Sequence, residues 1–118
     1  MPPNSGVFRP SWRAGCTTDS TTLTCTWVEA KAYCASLALG GLSGWRLPAV
    51  TELSIIVDFT VTSGATIDAT AFPNTPADDF WTSSPSAGYS GYEWVVSFID
   101  GALYSPDVDV NDRVRCVR

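Results

Sequence analysis

The run Gly44-Trp45-Arg46-Leu47-Pro48, leading into Ala49-Val50-Thr51-Glu52-Leu53-Ser54-Ile55-Ile56-Val57-Asp58, constrains this chain more than any other stretch. Leu47-Pro48 marks a helix entry, because proline is tolerated in a first turn where its missing N–H would have no partner. Val50, Leu53 and Ile56/Val57 recur at helical spacing and give one apolar face, which predicts a helix ending near Phe59. Ahead of it sit a glycine for a tight turn, a large aromatic and a single arginine. Trp45 and the apolar face read as a hub for packing. Arg46 reads as a half-buried tether to carbonyls or a carboxylate. The stretch is structural in character and contains no catalytic pattern.

At 118 residues, with 45% hydrophobic and 16% charged residues, the chain is one folded domain. Residues 1–15 read as a linker or arriving strand and 16–118 as the domain. No apolar run approaches the roughly 18 residues of a membrane span, so direct membrane insertion is not expected. Met1–Gly6 shows neither a basic nor an apolar signal-peptide region, so the expectation is either an export signal elsewhere in a longer protein or an excised domain with an added Met. The net charge of −5 is unevenly placed: residues 1–59 balance four cations against four anions, whereas 60–118 carry three against eight. An acidic half argues against nucleic acid and anionic lipid as partners.

Cys16, Cys25, Cys34 and Cys116 suggest an oxidising compartment, and three pairings are open. A zinc site is the weaker reading, with no C-x-x-C and no histidine. Cys16 and Cys25 enclose a Thr-rich loop with a turn signal at Asp19-Ser20. A bridge at its base would contribute about 2.5–3 kcal/mol by loop-closure entropy. Thr26-Trp27-Val28-Glu29 is a capping box opening a helix to about Ala38, with Trp27, Ala30, Cys34 and Leu37 on one face and Gly40-Gly41 as its exit.

Residues 60–79 read as a long irregular segment anchored by Ile67 and Phe72. Phe80–Ser83 is a short strand stopped by Pro85. Tyr92–Ile99 alternates, with Trp94, Val96 and Phe98 on one face, and Asp100-Gly101 signals a type I′ hairpin into Ala102–Tyr104. A closing strand, Arg113–Arg118, puts Val114 and Cys116 on one face and Arg113 and Arg115 on the other. The expected fold is therefore α+β, two N-terminal helices followed by an antiparallel β-sheet with long loops. Pairing Cys34 with Cys116 would tie the first helix to the last strand, for about 4.5 kcal/mol in the same entropic treatment.

Four motifs occur in order: Thr26-Trp27-x-Glu29-Ala30-x-x-Tyr33-Cys34, Gly44-Trp45-Arg46-Leu47-Pro48-x-x-x-Glu52-Leu53, Phe80-Trp81-Thr82-Ser83-Ser84 and Val114-Arg115-Cys116-Val117-Arg118. Over residues 24–118 the series resembles the C-terminal domain family of the Legionella collagen-like adhesin. The resemblance implies a C-type-lectin-like domain in a bacterial secreted or surface protein, with a helix-to-last-strand disulfide corresponding to Cys34–Cys116. It also implies glycan or surface-ligand binding, with a homotrimeric fibre tip as one setting. The Cys16–Cys25 segment lies outside the motifs. The Arg-Leu-Pro turn and the Arg-Cys-Val-Arg ending are similar to formylglycine-generating enzymes as well. Those act through a reactive cysteine pair, whereas a structural scheme uses all four cysteines here and no histidine offers a base. Catalysis is not expected.

Candidate ligand contacts are Asp78, Asp79, Tyr89, Tyr92, Glu93, Tyr104, Asp107, Asp109 and Asn111, carried by loops 60–79, 83–91 and 104–112. Tyr89 and Tyr92 lie in a Ser/Gly-rich loop, a composition suited to adaptable recognition. Trp45 and Trp81 could stack on sugar rings but fall within the structural motifs, which favours core packing. If residues 107–112 are extended, Asp107, Asp109 and Asn111 share a face as oxygen ligands for calcium. The EF-hand spacing is not met, so an acidic strand edge that discourages aggregation is preferred and no cofactor is expected. Two binding functions remain: a glycan- or surface-binding adhesin domain, and a diversified protein-recognition module of a diversity-generating retroelement. A purely structural trimeric cap is the third possibility.

Overall fold

The computed structural model describes residues 24–36, 41–72, 75–85 and 90–118. Its elements are α1 (Trp27–Ser36), α2 (Val50–Ile55), β1 (Asp79–Pro85), β2 (Glu93–Ser97) and β3 (Leu103–Tyr104). The three strands form one antiparallel sheet in sequence order, giving the expected α+β class with two helices ahead of the sheet.

The capping box forms as the sequence requires. Thr26 N–H donates to Glu29 Oε1 at 2.9 Å and Glu29 N–H to Thr26 Oγ1 at 3.4 Å. Ala30 and Cys34 are fully buried one turn apart. The helix is described to Ser36, and residues 37–40, with the expected face residue Leu37 and the start of the glycine exit, lie outside the described residues.

The second helix is shorter than expected. Pro48 stands before Ala49, the residue that caps it, and α2 stops at Ile55 instead of near Phe59. Alanine offers no capping oxygen, so Glu52 alone reaches back, accepting from Ala49 N–H at 2.8 Å. At the other end Ile56 N–H turns to Leu53 O and Val57 N–H to Ser54 O, a tightened last turn. Val57 then bridges Ile67, and Asp58 N–H donates to Thr66 O. The β-branched run Ile55-Ile56-Val57 thus ends the helix, and Val57 turns to β-type pairing.

The sheet divides the core in two. Phe80 pairs with Val96 and Trp81 with Val95, and because successive residues point to opposite faces, each pair feeds a different layer. Trp81 and Val95 join Cys25, Ala30, Cys34, Trp45, Leu47, Val114 and Cys116, with Trp27 and Tyr33 packed on that side. Phe80, Val96 and Phe98 join Leu53, Ile67 and Val117 on the α2 side. Trp45 and Trp81 are therefore core residues. Trp81 is fully buried and its indole N–H donates to Cys25 O at 2.8 Å.

Between Trp81 and Pro85 the β1–β2 register slips. The Thr82 hydroxyl donates to Trp94 O at 2.7 Å, substituting a side-chain bond for ladder bonds lost there. The β2–β3 turn is wider than a two-residue type I′ hairpin. Ser97 N–H bonds Ala102 O and Gly101 N–H bonds Ser97 O, so the loop takes in Phe98, Ile99, Asp100 and Gly101. Phe98 is fully buried, and only the longer loop lets it stay in the core. Gly101 has φ +79°.

The C-terminal segment joins the fold by isolated bridges: Asp112 to Cys25, Arg113 parallel to Phe80, and Val117 to Arg46. The alternation read from sequence holds in parity but not in exposure. Val114 and Cys116 face the α1 layer, yet Arg115, on the opposite side, is only 1% exposed. Its Nη2 donates to Thr75 Oγ1 at 2.6 Å, and its guanidinium lies 5.0 Å from the Phe72 ring and 5.8 Å from the Phe80 ring. Phe72 and Thr75 cover what the pattern alone would leave in solvent.

The Cys34–Cys116 disulfide is present, with Cα atoms 5.5 Å apart across 82 residues of sequence. It is the one bridge between described residues. The expected Cys16–Cys25 bridge has Cys16 outside them, as do residues 1–15 and Asp19-Ser20.

Candidate binding face

The expected contact loops do not merge into one surface. Much of 60–79 is structural: Thr66 and Ile67 are buried, Thr66 N–H donates to Phe98 O, and Phe72 packs on the α2-side core. Residues 86–89, with Tyr89, lie outside the described residues.

Asp78 and Asp79 belong to a separate cluster with Asp112 around Arg113. Asp78 Oδ2 accepts from Arg113 Nε at 3.0 Å and Asp78 Oδ1 accepts from Asp79 N–H. Burial pushes the Asp112 carboxyl up to about 7. The negative charges of Asp79 and Asp78 add to the rise, and Arg113 opposes it. This cluster ties the start of β1 to the C-terminal segment.

Tyr92, Asp107, Asp109 and Asn111 share the second grouping. Residues 107–110 form a turn, not the extended edge that would align three oxygen ligands. Asp107 Oδ1 accepts from Asp109 N–H at 2.8 Å, and Val110 N–H closes on Asp107 O. Among the described residues no set of three His, Cys, Asp or Glu side chains converges in a manner suited to a metal ion. The turn is fixed to the first residue of α1 and to the entry of β2. Tyr92 bridges Asp107, Glu93 N–H donates to Pro106 O, Val108 N–H to Gly91 O, and Trp27 N–H to Val108 O. The first turn of α1, the entry to β2 and residues 106–112 consequently form one surface. Exposed on it are Val28, Tyr92, Asp107, Asp109, Val110 and Asn111.

Glu93 borders this face but turns inward. It is 7% exposed, its Oε2 has no hydrogen-bond partner, and burial raises its pKa while the charge of Lys31 opposes the rise. Tyr104 is half-exposed on edge strand β3, its hydroxyl donating to Asp100 Oδ2 at 2.6 Å. That bond, with a backbone N–H from Ala102, lowers the Asp100 pKa. The periodicity of Tyr92–Ile99 puts Glu93 on the face of Val95, so its inward aim was readable. The turn at 107–110 was readable only in part, because Asp107 offers an Asx cap whose use depends on the partners at Gly91 and Trp27.

The family model of the Lcl C-terminal domain matches residues 10–118, nearly the whole chain. The chain belongs to this family, and it is thereby an adhesin-related domain of a bacterial protein. The match begins ahead of the Cys16–Cys25 segment, which the sequence motifs had left outside. No curated protein matches the chain. A disulfide between helix and C-terminal segment fits an oxidising, extracytoplasmic setting. Among the described residues no helix is long and apolar enough to cross a membrane.

Proposed function

We propose that this is the ligand-binding domain of a bacterial secreted or surface protein, with a C-type-lectin-like fold, and that it recognises glycans or other surface molecules through the face built from residues 90–92 and 106–112 and the first turn of α1. One observation carries the reading. Residues 106–112 contribute no side chain to either core cluster, yet their backbone is pinned to Cys25, Trp27, Gly91 and Glu93. Such fixing leaves Asp107, Asp109, Val110 and Asn111 exposed on a rigid support, beside the half-exposed ring of Tyr92. Recognition residues on a loop held by a rigid scaffold lose little conformational freedom on binding. A tyrosine beside carboxylate and amide side chains offers an aromatic face for the apolar side of a sugar ring and acceptors for its hydroxyls.

A glycan array probed with the wild-type chain and with Tyr92→Ala and Asp109→Ala tests this. Both positions are exposed, so the variants are expected to fold. The expected result is a defined set of glycan signals reduced at least tenfold in each variant. Signals unaffected by both substitutions would place recognition elsewhere.

A further inference from the structure

A second feature lies further along α1, past its first turn. Lys31 and Ala35, one helical turn apart, line an open cavity of about 190 Å³ together with Trp45, Arg46, Leu47 and Ser83. That volume holds about six waters or one six-membered ring with a short substituent. Trp45 and Leu47 are 6% and 2% exposed and belong to the core cluster, so the floor is apolar and rigid. Among the described residues no carboxylate lines the cavity, although the chain as a whole carries net charge −5.

The two cations at its edge are held from behind. Arg46 Nη1 and Nη2 donate to the two oxygens of Glu52 at 2.7 and 2.9 Å, and Nη1 also donates to Leu47 O at 3.4 Å. Glu52 has a side chain 9% exposed, whereas that of Arg46 is 50% exposed. Of the five guanidinium donors, Nε–H and one Nη2–H remain without an acceptor among the described residues. Lys31 Nζ sits 3.7 Å from the Trp27 ring centroid, on the side of the inward-turned Glu93. The Arg46 guanidinium is thus oriented before any ligand arrives, which reduces the ordering cost of binding an anion, and Lys31 adds a second positive charge nearby.

The geometry points to a binding site for a small organic carboxylate with a compact ring or branched apolar body, the body on Trp45 and Leu47 and the carboxylate between Arg46 and Lys31. This site is independent of the face proposed above and does not rest on it. Its small size and partly compensated charges set the affinity at a dissociation constant on the order of 1 mM for a ligand of about ten heavy atoms.

Two-dimensional amide and indole NMR of the disulfide-intact chain, titrated with 3-phenylpropionate to 10 mM, tests the assignment, with 3-phenylpropionamide as the uncharged control. The expected result is saturable shifts of the Trp45 indole and the Lys31, Ala35 and Leu47 amides, with the amide control at least fivefold weaker. Lys31→Gln should weaken binding at least threefold, and Ala35→Phe, which fills the cavity from an exposed helix position, should abolish it with spectral dispersion retained. Equal binding of acid and amide, shifts that persist in Ala35→Phe, or no saturable shift at all would each overturn it.

Discussion

At the scale of single residues, two carboxylates with opposite shifts set how the fold responds to pH. The Arg46 hydrogen bonds lower the Glu52 pKa more than burial raises it, with Ala49 N–H assisting. Its contribution is therefore present above the ordinary carboxylate range and lost as pH falls through the lowered value. Glu52→Gln retains the shape but removes the charge, leaving the half-exposed Arg46 and Ala49 N–H with weaker partners. The expected loss is about 1–2 kcal/mol by urea denaturation at pH 7, shrinking below pH 4. Asp112 has the opposite sign. Its protonated form is favoured in the fold, so its contribution is complete below the unfolded carboxylate pKa of about 4 and declines as pH rises through about 7. After solvent screening the decline between pH 5 and 8 should be roughly 1–2 kcal/mol. Asp112→Asn should flatten that slope and stabilise the chain at pH 8, both readable from urea midpoints across the range.

Among the elements, the hairpin turn shows where local sequence rules reach their limit. Asp100-Gly101 announced a turn, and Gly101 does take a positive φ of +79°. The loop is four residues long because burying Phe98 against Phe80, in an edge-to-face contact at 5.3 Å, outweighs the tighter hairpin. A Cβ on Gly101 would stand 2.5 Å from Phe59 Cε1 and 2.8 Å from Val57 Cγ1. The exposed Phe59 ring can swing aside, whereas the Val57 methyl has less room. Gly101→Ala is therefore expected to cost about 1–2 kcal/mol, mostly from backbone strain, with little recovered by Phe59→Ala. Thermal denaturation of the two single variants and the double variant checks this. The same tertiary logic explains the short α2 and the buried Arg115. The period of Val50, Leu53 and Ile56/Val57 was legible, but the pairing of Val57 with Ile67 and the lid of Phe72 and Thr75 over Arg115 arise between distant segments. In contrast, the Thr26–Glu29 capping box follows from neighbours in sequence, and the burial of Trp81 agrees with its place in a structural motif.

For the molecule as a whole, the Cys34–Cys116 bridge closes a span of 82 residues that includes α2 and the entire sheet. Removing it as Cys34→Ala/Cys116→Ala relaxes the unfolded chain and is expected to cost about 4.5 kcal/mol, a large fraction of the stability of a domain of this size. A urea midpoint displaced by that amount, with the m-value also raised, is the expected reading. The bridge joins α1 to the C-terminal segment, and α1 also holds the turn at 107–110, through Trp27 N–H to Val108 O. The fold signature in the sequence, from Gly44 to Asp58, accordingly serves the core and the α1-side cavity. The proposed glycan face was harder to read, because it depends on backbone bonds from residues 106–112 to Cys25, α1 and the entry of β2, which are distant in sequence.

The most direct test of that face is amide chemical-shift mapping of the wild-type chain with the strongest glycan from the array. The expected result is shifts concentrated at residues 26–28, 90–92 and 106–112, and their loss in Tyr92→Ala. Shifts confined to other residues, or unchanged by that substitution, would contradict it.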